Sequence, residues 1–276
     1  MGHLRVGVND EKPLPVSSSQ PPDFSPEQEA VFREVIRLMD SNKVPFAVSG
    51  AFALHEHTGI WRDTKDLDLF MPAEQVSRAL QVLEAKQFAT EICDPAWLAK
   101  ASRGDYYVDL ITGMSNGVVR VDYSWLWRAA RSEVFGMPVR VLAPEELIAS
   151  KVFVTRRERF DGADICHIIY GTRGKFDWTR LLHLVGEHWE MLLWYLVLYH
   201  YVYPSSGDSI PAEVWDELLH RFGVELAHPN RSVEFRGSLI DEKMFAIDVT
   251  EWGKRNIMEE YRQVVEMIHP RSRKAS

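Results

Sequence analysis

Cysteine is almost absent: Cys93 and Cys166 are the only two in 276 residues. They make neither a zinc-ligand spacing nor a disulfide framework, so a reducing cytoplasm is the default expectation. No apolar signal core stands at the N-terminus. Long hydrophobic runs are missing too. The most apolar stretch, residues 191–203, is 13 residues long, contains His200, and follows Glu187 and Glu190. A span needs roughly 20 apolar residues, so this reads as a buried helix and no membrane partner is expected. There is no excess of positive charge: 32 Lys and Arg against 40 Asp and Glu give a net charge of −8. That argues against broad, non-specific nucleic-acid binding, which runs on cationic surface. Neither a Gly-x-x-x-x-Gly-Lys phosphate loop nor a Gly-x-Gly-x-x-Gly fingerprint occurs.

What is present is an ordinary globular composition, 46% hydrophobic and 26% charged, with enough chain for one large or two modest domains. The informative string is Arg62-Asp63-Thr64-Lys65-Asp66-Leu67-Asp68-Leu69-Phe70. On a strand, Asp66 and Asp68 share one face and Leu67 and Leu69 the other. Two adjacent carboxylates repel, and a divalent cation relieves that repulsion. A Ser49-Gly50 turn sixteen residues upstream of Asp66 is a place for a phosphate chain to rest. Asp109, flanked by Val108 and Leu110, would become a third ligand if its strand lay beside the first. Three such carboxylates suit two metal ions and phosphoryl or nucleotidyl chemistry.

The order of elements supports this. Residues 1–24, rich in Pro and Ser, read as a flexible tail. Ser25, Pro26 and Gln28 make a capping-box start for a helix whose inner face carries Val31, Val35, Ile36 and Met39. A short strand over 45–49, a helix over 51–57, a strand over 64–71 and a helix over 73–86 follow. Strands are expected over 88–93 and 106–111, then a short helix near 124–130 and two strands flanking Gly136-Met137-Pro138. Pro144 opens a helix expected to reach about residue 159, with Leu147, Lys151 and Val154 on one face. Beyond it the chain is mostly helical, over 178–203 and 212–222, with Trp178, Trp189 and Trp194 expected in the core. The segment 228–256 is patterned, but its role is open. The divisions are 25–143 for an α/β part, 144–270 for a helical part, and 271–276 for a loose basic tail.

Strand, Ser-Gly turn, helix, Asp-x-Asp strand and single-Asp strand together resemble the nucleotidyltransferase superfamily of the DNA polymerase β type. The string from Ser49 to Leu54 with Arg62, Thr64, Lys65 and Asp66-Leu67-Asp68-Leu69 is most similar to its small bacterial branch, which includes AbiEii/MenT-like toxins. The resemblance spans roughly residues 30–170. It implies an α+β fold: a mixed sheet with flanking helices, then a mainly helical C-terminal domain, with 25–143 as the catalytic domain. It implies Mg²⁺, as two ions, or Mn²⁺, on Asp66, Asp68 and Asp109. Asp109 would also help deprotonate the acceptor hydroxyl. Ser49 and Gly50 would contact the nucleotide phosphates. A Leu-x-x-x-Lys helix followed by an Arg and Asp cluster occurs in the same branch; here the cluster would be Arg159, Asp161 and Asp164, with Lys151 binding the triphosphate and Asp164 positioning it. Arg62 and Lys65 are further phosphate contacts by charge. Many members carry two glycines in the turn where this chain has Ser49-Gly50, and a serine hydroxyl is compatible with phosphate.

The function expected is therefore NMP transfer from an NTP donor to a hydroxyl of RNA, protein or a small molecule. A toxin role with an antitoxin partner is one option. Other classes compete. An Asp-x-Asp glycosyltransferase needs more sheet before its motif than the two strands available here. A haloacid-dehalogenase-like phosphatase needs an apolar strand where Arg62 to Lys65 is polar. A non-enzymatic nucleotide-binding protein is the plain alternative. Arg156, Arg157 and Arg159 read either as a solvated helix face or as a guide for a phosphate-rich acceptor. His55 and His57 have no further ligand cluster beside them and read as satisfied or exposed helix histidines.

Overall fold

Alternating apolar residues set the central strands of the protein. A computed structural model describes residues 22–268. The tails expected over 1–24 and 271–276 lie outside the described residues, except 22–24, where Phe24 stacks on Phe52 with ring centroids 5.8 Å apart. Helix α1 (Pro26–Ser41) starts as its sequence dictates: Ser25 Oγ accepts from the Gln28 backbone N–H at 3.1 Å. The same hydroxyl shares a 2.7 Å hydrogen bond with the Tyr106 hydroxyl. The reciprocal half of the expected capping box does not form, because the Gln28 side chain donates instead to the Thr64 carbonyl at 3.4 Å.

Strand β1 (Ala47–Val48) leads into α2 (Gly50–Thr58), then β2 (Asp66–Phe70), a 3-10 turn and α3 (Val76–Glu84). Strands β3 (Ala89–Asp94), β4 (Leu98–Arg103) and β5 (Tyr106–Ile111) form a meander. Helix α4 (Tyr123–Arg128) precedes the hairpin of β6 (Ala130–Val134) and β7 (Met137–Val141). The seven strands form one mixed sheet in the order β3-β4-β5-β2-β1-β7-β6, with β2–β5 and β1–β7 parallel. The fold class is α+β, as the sequence indicates.

Several local expectations change. The sequence reading lacks β4 altogether. Its residues, Leu-Ala-Lys-Ala-Ser-Arg, are poor in β-branched and aromatic types, and it is held by pairing on both sides. The hairpin turn sits at Phe135-Gly136, both with positive φ (50° and 72°), so Met137 and Pro138 belong to β7. Helix α5 (Pro144–Ala149) stops ten residues before its expected end. The chain turns there into a small hairpin of β8 (Thr155–Arg156) and β9 (Arg159–Phe160). Lys151 therefore lies in a turn, and Arg156 to Arg159 occupy a hairpin rather than a helix face.

Helices α6 (Gly162–Thr172), α7 (Trp178–Val185), α8 (Trp189–Val202) and α9 (Ala212–Ala227) follow. The helix expected over 178–203 breaks at Gly186, whose φ of +52° and ψ of −123° are not helical. Trp178 is buried and Trp189 partly buried, but Trp194 is 47% exposed, stacked on Tyr195 at 5.3 Å outside the core. The last described segment holds α10 (Gly237–Ile240), α11 (Ala246–Thr250) and α12 (Ile257–Ile268). Arg262 of α12 donates to both oxygens of Asp94 at 2.9 Å and to the Ser115 carbonyl at 2.7 Å, so the C-terminal helix closes back on the sheet. A single apolar core runs from Val31 through the sheet to Leu239 and Met258, crossing residue 143 without a gap. Among the described residues no helix is long and apolar enough to cross a membrane.

Ser25 joins the first helix to the fifth strand, so its loss is expected to act on the whole sheet. Ser25→Ala should lower stability by about 1–2 kcal/mol, read as a lower urea midpoint at unchanged slope. An unchanged midpoint would show that the cap contributes nothing.

Candidate active site

The β2–β5 pairing builds the site. Their parallel register sets Asp68 directly opposite Asp109, with Leu67 opposite Val108 and Leu69 opposite Leu110. The leucines and the valine are fully buried on the other face, which turns both carboxylates to the same side. Asp66 lies two residues earlier on that side, opposite Tyr107. Thr64 holds the start of the strand: its hydroxyl donates to the Asp66 carbonyl at 2.8 Å.

The Ser49-Gly50 turn comes up against this pair. Ser49 is buried and its backbone N–H donates to the Asp68 carbonyl at 3.0 Å. Gly50 has φ +57°, and a Cβ there would collide with the Asp68 carboxylate, standing 2.9 Å from Cγ. Only glycine satisfies both the dihedral and the approach. Ser49 occupies the N-cap position of α2 without making a side-chain cap bond.

A cleft of about 200 Å³ opens over Asp68 and Asp109. Ser49, Gly50, Trp97, Ser115, Lys151 and Arg159 are among its walls. Its charge is arranged in two groups. On the sheet, Lys100 of β4 is the register partner of Asp109, and its Nζ lies 2.9 Å from Oδ1 and 3.2 Å from Oδ2. Beyond the sheet, the buried Lys151 ammonium donates to Asp161 at 2.8 Å and Asp164 at 2.9 Å. Arg159 donates twice to Asp161, both at 3.0 Å, and Arg62 pairs with Asp164.

These contacts act on the acids in opposite directions. Burial, the Asp109 charge and the Asp66 charge push the Asp68 carboxyl up to about 7, against the pull of Lys151 and Arg159. Asp109 is also raised by burial, against the opposing Lys100 ammonium. Burial works against the Asp161 charge as well, but Arg159 and Lys151 outweigh it and hold that carboxyl below the usual range. Asp68 is thus short of positive charge, whereas Asp161 is well supplied.

That shortage bears on metal binding. Among the described residues no group of three or more His, Cys, Asp or Glu stands close enough together to hold a metal ion. Asp68 and Asp109 are brought together; Asp66 shares their face but does not line the cleft. The donor set still fits a hard divalent cation, since it is all carboxylate oxygen and Asp68 carries repulsion such an ion would relieve.

The remaining expected residues divide. Lys151 lines the cleft, while Asp164 stands behind it as its ion-pair partner. Arg62 reaches the network only through Asp164. Lys65 is exposed and does not line the cleft. His57 Nε2 bonds the Leu142 carbonyl at 2.7 Å, and His55 stacks on Trp61 at 4.1 Å, so both are occupied structurally. Lys100, Ser115 and Asn116 were not legible in the sequence, nor was Asp161 as the partner of Lys151. Lys100 was hidden with its strand. Asp161 stands ten residues from Lys151, a spacing no regular element signals. Asn116 is buried and donates to the Leu239 carbonyl at 3.0 Å, and Asp241 accepts from the Arg157 backbone N–H at 3.2 Å. The otherwise open segment 228–256 therefore packs on the cleft wall.

A family model described as nucleotidyl transferase of unknown function (DUF2204) matches residues 28–183. No curated protein matches the chain. Among solved structures it is similar to the antibiotic-resistance factor ANT(2'')-Ia, at 17% identity over 64% of this chain and 97% of that one, TM-score 0.42. It is similar to the lincosamide antibiotic adenylyltransferase LnuA, at 14% over 51% and 95%, TM-score 0.37. It is also similar to an antigenic nucleotidyltransferase-like protein from Paracoccidioides brasiliensis, at 19% over 67% and 94%, TM-score 0.41. Likenesses this distant carry no argument about activity.

Two stability measurements follow from the charges. A carboxyl raised in the folded state binds protons there that the unfolded chain has released, so between its two pKa values stability falls as pH rises. Without metal, Asp68→Asn should stabilise the protein by at least about 1 kcal/mol more at pH 8 than at pH 5. Equal effects at both pH values would remove the repulsion. Conversely, Lys151→Met takes the shared ammonium from two buried acids, leaving Asp161 to Arg159 and Asp164 to Arg62, and should destabilise by about 3 kcal/mol, the low end for a broken buried pair; urea unfolding that matches wild type would show the network to be idle.

Proposed function

The chain belongs to the nucleotidyl transferase family whose model it matches, and we propose that its reaction takes place in the cleft over Asp68 and Asp109. It moves NMP from an NTP to an acceptor hydroxyl. The observation that carries this reading is the register of Asp68 against Asp109 beneath the Gly50 turn. It puts acids, a close backbone approach and a cationic wall within one cleft.

Each group then has a part. Asp66, Asp68 and Asp109 would form the face that holds divalent metal, Mg²⁺ or Mn²⁺. When bound, it supplies Lewis-acid stabilisation of the phosphate oxygens and of the leaving pyrophosphate. Gly50 lets the backbone approach the phosphate chain, and the Ser49 hydroxyl, free of any cap bond, is available to a phosphate oxygen. Lys151 has three donors, two of them spent on Asp161 and Asp164, which leaves one to aim at the triphosphate. Its buried carboxylates fix that aim. Arg159 keeps donors beyond the two that bind Asp161 and adds positive charge at the mouth of the cleft. Arg62 acts through Asp164, as a positioning residue. Asp109 stands where an approaching hydroxyl could give up its proton.

The acceptor is read out by assay. The protein is incubated with each α-labelled NTP, Mg²⁺, and separate pools of RNA, protein and small hydroxyl compounds. Label should move to one pool and be lost in the Asp66→Ala/Asp68→Ala variant. Transfer retained by that variant would falsify the carboxylate assignment, and NTP binding without transfer to any pool would favour a binding protein. Label on RNA or on a protein would support the toxin-type role that the AbiEii/MenT-like resemblance implies.

A further inference from the structure

We propose that Lys100 takes the place of one of two divalent ions, so that the site holds a single ion, on Asp66 and Asp68. The inference rests on the assignment of Asp66, Asp68 and Asp109 as the metal face.

Three strands carry it. Lys100 on β4, Asp109 on β5 and Asp68 on β2 occupy one register row across the sheet. A row of this kind brings side chains on one face within reach of their neighbours. The Lys100 ammonium uses that reach on both oxygens of Asp109, at 2.9 and 3.2 Å. It is a cation seated on the acid that a second metal ion would need. Its head also stands 5.9 Å from the centre of the Tyr107 ring, two residues before Asp109 on the same face. The side chain is thus held on two sides and is one-third exposed.

The charge balance agrees. Three carboxylates less one ammonium leave two negative charges on the sheet, which a single divalent ion closes. A second ion on Asp109 would sit against the ammonium, and like charges a few ångströms apart in a partly buried cleft repel strongly. Lys151 is bonded to Asp161 and Asp164 and Arg159 to Asp161, so these cations act on the sheet acids only from a distance, whereas Lys100 touches Asp109. Lys100 supplies charge on the Asp109 side, and the metal on the Asp66–Asp68 side, facing the phosphates. A tethered ammonium costs less to place than a free ion, because the fold has already ordered it.

The test counts ions. Mn²⁺ is titrated into the full chain with a non-hydrolysable NTP bound, and bound Mn²⁺ is read by electron paramagnetic resonance. The wild type should bind one ion per chain, without Mn–Mn coupling. Lys100→Met should admit a second, with coupling, and Lys100→Arg should return the count to one. Lys100→Gln replaces the methionine variant if that does not fold. Two coupled ions in the wild type, or one ion in both wild type and the neutral variant, overturn the proposal. A count of zero in nucleotide-bound wild type overturns the metal reading itself, and is told apart from the first failure by the number.

Discussion

Two like charges placed side by side on neighbouring strands are the constraint around which this protein is organised. Nothing in the apolar core requires Asp68 to face Asp109; the core requires only that Leu67, Leu69, Val108 and Leu110 point the other way. The period of a strand then delivers the acids together as a consequence. Burial first, and the Asp109 charge second, raise the Asp68 carboxyl in the folded state. The sheet tolerates this because the packing of the opposite face outweighs it. A site whose charge is unbalanced without its ligand is poised to bind cations, and strain of this kind is usual where function and stability compete.

Asp161 and Asp164, at the start of α6, answer the same problem the other way. Asp161 and Asp164 are as buried as their neighbours, yet Lys151, Arg159 and Arg62 satisfy them. A buried ion network adds little stability over an apolar core, but removing one partner is severe. Its use here is geometric. It ties the turn after α5 to the β8–β9 hairpin and the start of α6, and holds the Lys151 ammonium in the cleft that Ser49 and Gly50 also line. The turn that follows α5 is therefore part of the site, not an irregularity near it.

This explains which parts were legible in the residues. The Asp-x-Asp strand, the glycine turn and Asp109 were readable because each follows a local period or a backbone requirement. Asp68 against Asp109 needed only one further step, that their strands be neighbours. The hairpin after Ala149 was not readable, since Pro144 to Lys151 has the local marks of a helix, although the helices beyond it were expected. Strand β4 was lost because alanine, lysine and serine carry no strand signal of their own, and Lys100 went with them. Trp194 was assigned to the core on spacing, but α8 is apolar around most of its circumference, and spacing cannot say which side the core takes.

Lys100, the cation lost with β4, balances charge from a neighbouring strand, whereas Lys151 was legible and only its pairing with Asp161 was not. Acids that bind metal sit in regular elements whose period can be read from sequence. The cations that offset them arrive from other strands and loops, selected by register and distance. In this chain Lys100 is separated from Asp109 by a hairpin and Lys151 from Asp161 by a loop, and neither pairing follows a helical or strand spacing. The number of metal ions a carboxylate face can take is set by these partners as much as by the acids. A motif therefore gives the acids, and register gives the cation that stands against them, as Lys100 stands against Asp109.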